Sequence, residues 1–224
     1  NAYESIRNDA YENRTILNTE TSSVLQSEDE WWKNLPDIDE TALSQINSEY
    51  AAWIYIPDTK IDYPVVYPEN NTRYLTRTFD GKKRACGCLF FDSYVEPFSS
   101  HNTIIHGHNM KAGDMFGGLK RYLSQEYADE HSDLFLYKRG DWFRYRLYSV
   151  YVVGDGDAFP YQMDFPEKED YEKYLVSTYM KSTVKNTDPA AGDEILTLST
   201  CHGKTQKLII QWALNGSENK EETK

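Results

Sequence analysis

Two segments of this chain carry residues with the makings of covalent chemistry. Leu196-Thr197-Leu198-Ser199-Thr200-Cys201 ends one apolar run on a cysteine, and Ile104-Ile105-His106-Gly107-His108-Asn109-Met110 ends another on a histidine. A free thiol is only about 3% ionised at pH 7, so a cysteine nucleophile needs a proton acceptor or a cation beside it. The two runs are far apart in sequence, and only a fold that makes their strands neighbours joins them. Polar His202-Gly203-Lys204 follows Cys201 and places it at a strand end, open to approach. A free cysteine also packs as a small hydrophobe in a core strand, and the local sequence admits both roles. His108 leaves its strand between Gly107 and Asn109; it is either a reactive imidazole or a hydrogen-bonded structural one. Acyl transfer also builds negative charge on a carbonyl oxygen, which a third group must meet. A hairpin after Cys201 would bring Lys207 to the thiol, whereas Lys204 sits in the turn. Either lysine also reads as a solvated surface residue.

The elements that must position these groups are mostly strands. Runs over 53–56, 61–67, 87–92, 102–106, 134–138, 142–153, 195–200 and 207–214 are apolar or alternating and are bounded by turn residues. Pro64 inside the second run marks an edge or an irregularity. Two helical inserts are expected, at 115–127 and 168–180. Upstream, residues 1 to 30 carry apolar residues at loose helical spacing until Trp31-Trp32 and Pro36 break the pattern. Asp39 caps a second expected helix over 39–52, with Leu43, Ile46 and Tyr50 on one face. Many strands at short spacing with few βαβ units predict an antiparallel-rich barrel or sandwich with peripheral helices. The organisation read from this is a helical lead-in packed on the barrel (1–52), a β-barrel domain (53–214) and a polar, disordered tail (215–224).

Composition narrows the functional classes. The chain has 224 residues and 18 tyrosines, enough for a sizeable core that favours sheet. Its net charge of −12 argues against a nucleic-acid partner, which needs clustered Lys and Arg. Three cysteines are not a disulfide framework. No apolar run is long enough to span a bilayer. Cys86-Gly87-Cys88 and His106-Gly107-His108 each put two ligand-type residues on one strand face, so adjacent strands would allow a zinc site. The usual Cys spacing is absent, and the reading kept is no metal and no cofactor. Asp155-Gly156-Asp157 opens like a calcium loop but lacks the later ligands, so it reads as a turn.

Taken together the segments resemble class B sortases. Leu196 to Cys201 looks like the TLSTC signature that ends the family's nucleophile strand. Asn102 to Met110, followed by Met115-Phe116-Gly117-Gly118-Leu119, looks like its histidine segment. Trp53 to Val66 is similar to its first strands, and the insert near 168–180 stands where class B members carry an extra helix. The likeness spans roughly residues 31–214 in order.

The resemblance implies an eight-stranded β-barrel with N-terminal helices. It implies a cysteine transpeptidase on the outer face of a Gram-positive cell, held by an N-terminal anchor that this chain, starting at Asn1, lacks. Such an enzyme cuts a C-terminal sorting signal of a secreted protein after Thr and passes the acyl group to an amine. The acceptor is on peptidoglycan or, as the alternative, on a pilin lysine. A cysteine endopeptidase and a non-catalytic binding module are more distant alternatives. Carried over residue by residue, Cys201 is the nucleophile and His108 its proton partner, with Ser199 and Thr200 against the substrate. The helix at 168–180 and its flanking loops are expected to wall the substrate groove. One departure matters: the family's third residue is an arginine opening the next strand, where this chain has Lys207. Either Lys207 takes the role, or an arginine from elsewhere (Arg73, Arg77, Arg84), or backbone N–H groups. Lysine keeps the charge but loses the planar fork. His202 reads as a turn residue, and Cys86 and Cys88 as packing thiols.

Overall fold

The computed structural model describes residues 3–11, 28–186 and 194–214. Residues 12–27 of the lead-in and the expected tail at 215–224 lie outside the described residues. The apolar runs become eight strands: β1 (Tyr50–Tyr55), β2 (Asp62–Val66), β3 (Leu89–Phe91), β4 (Asn102–His106), β5 (Asp133–Lys138), β6 (Asp141–Gly154), β7 (Glu194–His202) and β8 (Gln206–Leu214). They close into one barrel in the order β1-β2-β3-β4-β7-β8-β6-β5. Only β2–β3 and β4–β7 pair in parallel, which requires long connections between them; the other neighbours are antiparallel. A closed barrel has no edge, yet Pro64 is accommodated. It pairs with Trp53 of β1, and the β3 pairing begins only one residue later, at Val65.

Ile54, Leu136, Leu198, Ile210 and Trp212 fill the barrel interior and are fully buried. β7 is buried on both faces from Ile195 to Thr200, which is why its sequence reads as a continuous apolar run. Leu196 and Leu198 enter the barrel core, whereas Ile195 joins a second cluster outside it. By the two-residue period, Thr197, Ser199 and Cys201 share that outer face.

Helix α4, introduced here over Lys168–Lys181, roofs part of this face with Tyr171, Tyr174 and Leu175. A buried polar network fastens it. Gln211 donates to the hydroxyls of Tyr174 (2.8 Å) and Thr197 (3.0 Å) and accepts from Tyr148 (2.9 Å). Thr197 donates to Asn102 (2.6 Å), whose amide in turn holds the Pro160 and Gln162 carbonyls.

The other helices are α1 (Glu4–Tyr11), α2 (Glu40–Ile46) and α3 (Gln125–Glu130). In α1, Ile6 and Ala10 are buried, as is Tyr3 just before it, so this part of the lead-in is tightly seated. Trp31 and Trp32 lie within a 3₁₀ helix, Glu28–Asn34, rather than beyond a helix end; Trp32 is buried against Phe135. Asp39 caps α2 by accepting from the Ala42 N–H (2.8 Å). The helix expected to reach residue 52 stops at Ile46. Asn47 turns extended, accepts from Glu49 N (3.0 Å) and donates to the Phe79 carbonyl (2.8 Å). Tyr50 then opens β1, and Ile46 is exposed. The insert expected at 115–127 is helical only from Leu119, as a 3₁₀ turn followed by α3. Met115 has φ +52°, and Gly117 sits where a Cβ would come within 2.0 Å of the Met110 carbonyl, so this stretch folds back tightly instead of coiling. Among the described residues no helix is long and apolar enough to cross a membrane.

Replacing Gln211 by Leu tests the roof. It removes three buried hydrogen bonds while Tyr148 keeps Thr178 and Thr197 keeps Asn102, so the expected loss of unfolding free energy is about 0.5–1.5 kcal/mol per lost bond, read by urea denaturation.

Candidate active site

The parallel pairing of β4 with β7 sets the site. Its register runs from Asn102 opposite Ile195 to His106 opposite Ser199. Three hydrogen bonds carry the same alignment past the end of β4. Gly107 N donates to the Ser199 carbonyl (3.2 Å), the Thr200 hydroxyl to the Gly107 carbonyl (2.7 Å), and the Asn109 side chain to the Cys201 carbonyl (2.7 Å). His108 is thereby held level with Cys201, and both line one cavity of about 820 Å³. Gly107 is obligatory in this approach, because a Cβ there would meet Leu89 at 2.4 Å and Phe116 at 2.6 Å.

On the other side β7 and β8 form the expected hairpin, and Cys201 is directly opposite Lys207. The ammonium lies 3.4 Å from the Cys201 sulfur. It also lies 3.3 Å from a carboxylate oxygen of Asp155, just past the end of β6. Partial burial pushes the Lys207 pKa down, but the adjacent Cys201 and Asp155 outweigh it and hold it above the ordinary lysine value. The ammonium therefore stays charged throughout the neutral range. Cys201 itself is exposed, as its strand-end position predicts.

His108 is oriented from below by backbone. Its Nε2 is 2.7 Å from the Leu75 carbonyl; a carbonyl only accepts, so Nε2 carries the hydrogen and Nδ1 is left to exchange a proton. The Leu75 segment is propped by Gly87, which has φ +62°. A Cβ there would come 2.4 Å from the Tyr74 carbonyl and 3.2 Å from His108 Cδ2. Cys88 N bonds the Tyr74 carbonyl (3.0 Å), and the Tyr3 hydroxyl donates to the Gly87 carbonyl (2.5 Å). Tyr3 also packs edge-on against Tyr63, whose hydroxyl accepts from Met115 N (3.4 Å). The N-terminal segment thus touches the Gly87 loop beneath His108 directly and the loop that follows His108 through Tyr63.

The rest of the cavity was harder to foresee. His106, considered in the sequence only as a metal ligand, bonds Asp92 (2.9 Å) and lies parallel to the Tyr161 ring. Asp92 also accepts from the Asn71 side chain (3.0 Å) and from Tyr94 N (3.0 Å). Burial pushes its carboxyl up, but the bonds from His106, Tyr94 and Asn71 prevail and hold it below the ordinary range. Ser199 and Thr200 form part of the wall with their hydroxyls engaged, Ser199 with Tyr161 (2.8 Å). Helix α4 itself does not line the cavity; the loop before it does, through Gly156, Asp157, Ala158, Tyr161 and Met163. The helix is occupied with roofing β7, so only the flanking-loop part of the expected wall is present.

Arg73 pairs with Glu49 (2.9 Å) and Arg77 with the Gly81 carbonyl (3.1 Å), and neither they nor Arg84 line the cavity. His202 and Lys204 are in or beside the hairpin turn, away from the cavity lining. Cys88 faces the Pro64 carbonyl in the core, and burial pushes its thiol up to about 12. Among the described residues no cluster of three or more His, Cys, Asp or Glu is gathered for a metal. Asp155-Gly156-Asp157 is a turn, with Asp157 capping Phe159 N (2.9 Å).

A Sortase domain family model matches residues 54–214. Sortase B of Listeria monocytogenes is 35% identical over 179 residues, covering 77% of this chain and 72% of that protein. Sortase B of Staphylococcus aureus is 30% identical over 174 residues, covering 75% and 71%. The Clostridium perfringens sortase B crystal structure superposes with a TM-score of 0.74 at 32% identity, over 78% of this chain and 98% of that one. A Staphylococcus aureus sortase B–substrate complex gives 0.74 at 28% identity, over 78% and 83%.

Two substitutions test this geometry. Gly87→Ala places a Cβ against the Tyr74 carbonyl at positive φ; it is expected to lower stability by about 1–3 kcal/mol and to move the His108 ring resonances in an NMR spectrum. Asp92 has a depressed folded pKa, so its contribution is complete above the unfolded carboxylate value of about 3.9 and is lost as pH falls through the folded value. Melting temperatures recorded from pH 7 to pH 2.5 should fall more steeply below pH 4 for the parent than for Asp92→Asn, which starts lower at pH 7.

Proposed function

This chain belongs to the sortase family, with class B relatives, and is a sortase-type cysteine transpeptidase; on that premise we propose that it cleaves a C-terminal sorting signal of secreted surface proteins after Thr and transfers the acyl group to a cell-wall peptidoglycan amine. It would do so on the outer face of the cell membrane. The observation that carries this reading is the alignment of His108, Cys201 and Lys207 on one open cavity, with the thiol 3.4 Å from a cation.

In the proposed cycle the Cys201 thiolate attacks the carbonyl carbon of the scissile Thr peptide bond. Negative charge grows on the carbonyl oxygen within reach of the Lys207 ammonium. The C–N bond then breaks, and the leaving amine takes a proton from Nδ1 of the His108 imidazolium. A thioester on Cys201 remains. An incoming amine attacks it, gives its proton to His108, and expels the thiolate. Nε2 keeps its hydrogen on the Leu75 carbonyl throughout, so one ring nitrogen serves both proton transfers. The substrate would lie extended along the cavity, with Ser199 and Thr200 as floor and the 156–163 loop as one wall.

The test is intact-mass spectrometry of the parent and Cys201→Ala, each incubated with a panel of sorting-signal peptides with and without an amine. A thioester adduct on the parent alone, converted by the amine into an amide product, is the expected result. Turnover by Cys201→Ala would end the nucleophile assignment. Hydrolysis indifferent to added amine would point to an endopeptidase, and preference for a lysine side chain over a peptidoglycan-type amine would point to pilin joining.

A further inference from the structure

The lysine at the family's arginine position stands beside a carboxylate whose purpose the cycle above does not explain. Asp155 follows β6, and its backbone N–H bonds the Thr205 carbonyl in the β7–β8 turn (2.8 Å). That bond fixes Asp155 beside the hairpin that carries Cys201 and Lys207. Its side chain is half-exposed, yet it reaches 3.3 Å to the Lys207 ammonium. The ammonium thus stands between a carboxylate and the thiol, 3.4 Å from the sulfur. Lysine is a point charge on a flexible four-carbon stem, whereas the arginine fork is pre-organised by its own planarity. A lysine in this role needs an outside anchor.

We propose that Asp155 is a positioning residue that holds the Lys207 ammonium against Cys201 and so replaces the orientation an arginine would supply by its shape. This rests on the reading of Lys207 given above. The sign of the effect separates anchoring from simple electrostatics. As a bare charge, the carboxylate disfavours a nearby thiolate, and removing it would make Cys201 ionise more readily. As an anchor, it keeps the cation in place, and removing it would make Cys201 ionise less readily. The groups that face the ammonium are Cys201 across the hairpin and Asp155 from the turn after β6; the Tyr161 phenol also feels its charge.

The experiment measures two quantities on each variant: kcat/KM for peptide transfer to an amine, and the pH midpoint of Cys201 alkylation by iodoacetamide. Asp155→Ala should lower kcat/KM about tenfold and raise the alkylation midpoint. Asp155→Asn keeps a hydrogen-bonding oxygen at the same place and should recover most of that loss. In a Lys207→Met background, itself slow, adding Asp155→Ala should change neither quantity, because the anchor has nothing to hold. A lowered alkylation midpoint in Asp155→Ala would overturn the inference in favour of bare charge. An equal loss with and without Lys207 would overturn it in favour of a general structural role. Lys207→Met with parental activity would overturn the reading of Lys207 itself, and this inference with it; a slow Lys207→Met with a parental Asp155→Ala would overturn the inference alone.

Discussion

Everything at this site depends on one parallel strand pair. Antiparallel neighbours are joined by turns and find each other locally, but β4 and β7 are separated by two strands, α3 and α4. Their register decides whether His108 meets Cys201, and a slip of one residue would turn Cys201 toward the barrel interior. The fold guards the register twice. Asn102 and Thr197 bond each other on the outer face near the start of the pair (2.6 Å), and the Gly107 and Asn109 bonds lock its far end. The chemistry sits at the end of the pair, where backbone pairing gives way to loop but alignment is still enforced.

The outer face of this pair has to satisfy two opposed demands. Near its start it is covered by α4 and the residue 160–162 turn, so its polar groups must be satisfied internally, and Gln211, Asn102, Thr197 and Tyr174 do this for one another. Near its end it must stay open to a peptide, so the roof stops and Cys201 is left exposed. Ser199 marks the boundary: its hydroxyl is buried against Tyr161, two residues before the open thiol. Carbonyls under His108 and hydrogen bonds to Asp92 fix the remaining walls, so the cavity is shaped chiefly by loops that are each tied down at one polar hub.

Much of this was legible in the sequence, for physical reasons that differ by element. All eight strands were visible because a strand buried on one or both faces leaves a run or an alternation that loops cannot imitate. Helix α4 was visible too, because its apolar residues recur at helical spacing on a surface that packs on one side. The helix over 39–52 was overextended because Ile46 and Tyr50 continued its periodicity, while the stop came from Asn47 bonding to residues far along the chain. Lys207 was reachable through hairpin logic. Asp155 was not: it lay in a turn that read as a turn, and its partner came from another strand. The Leu75 carbonyl left no trace either, since a backbone acceptor has no letter in the sequence.

A lysine where the family resemblance leads one to expect an arginine changes how the site is held rather than what charge it offers. Two unit charges about 4 Å apart attract by about 1 kcal/mol in bulk water, and by about 4 kcal/mol at the effective dielectric of a protein surface. In the open cavity the Lys207–Cys201 pair is closer to the first limit, since the thiol is exposed. A peptide lying over it displaces water and moves it toward the second. The pair therefore gains most of its strength when substrate is present. A guanidinium would be in position before substrate arrives because its shape is fixed. An ammonium must be steadied in the interval, and the carboxylate of Asp155, 3.3 Å away and reached by no other cation among the cavity-lining residues, is placed to do so without covering the sulfur.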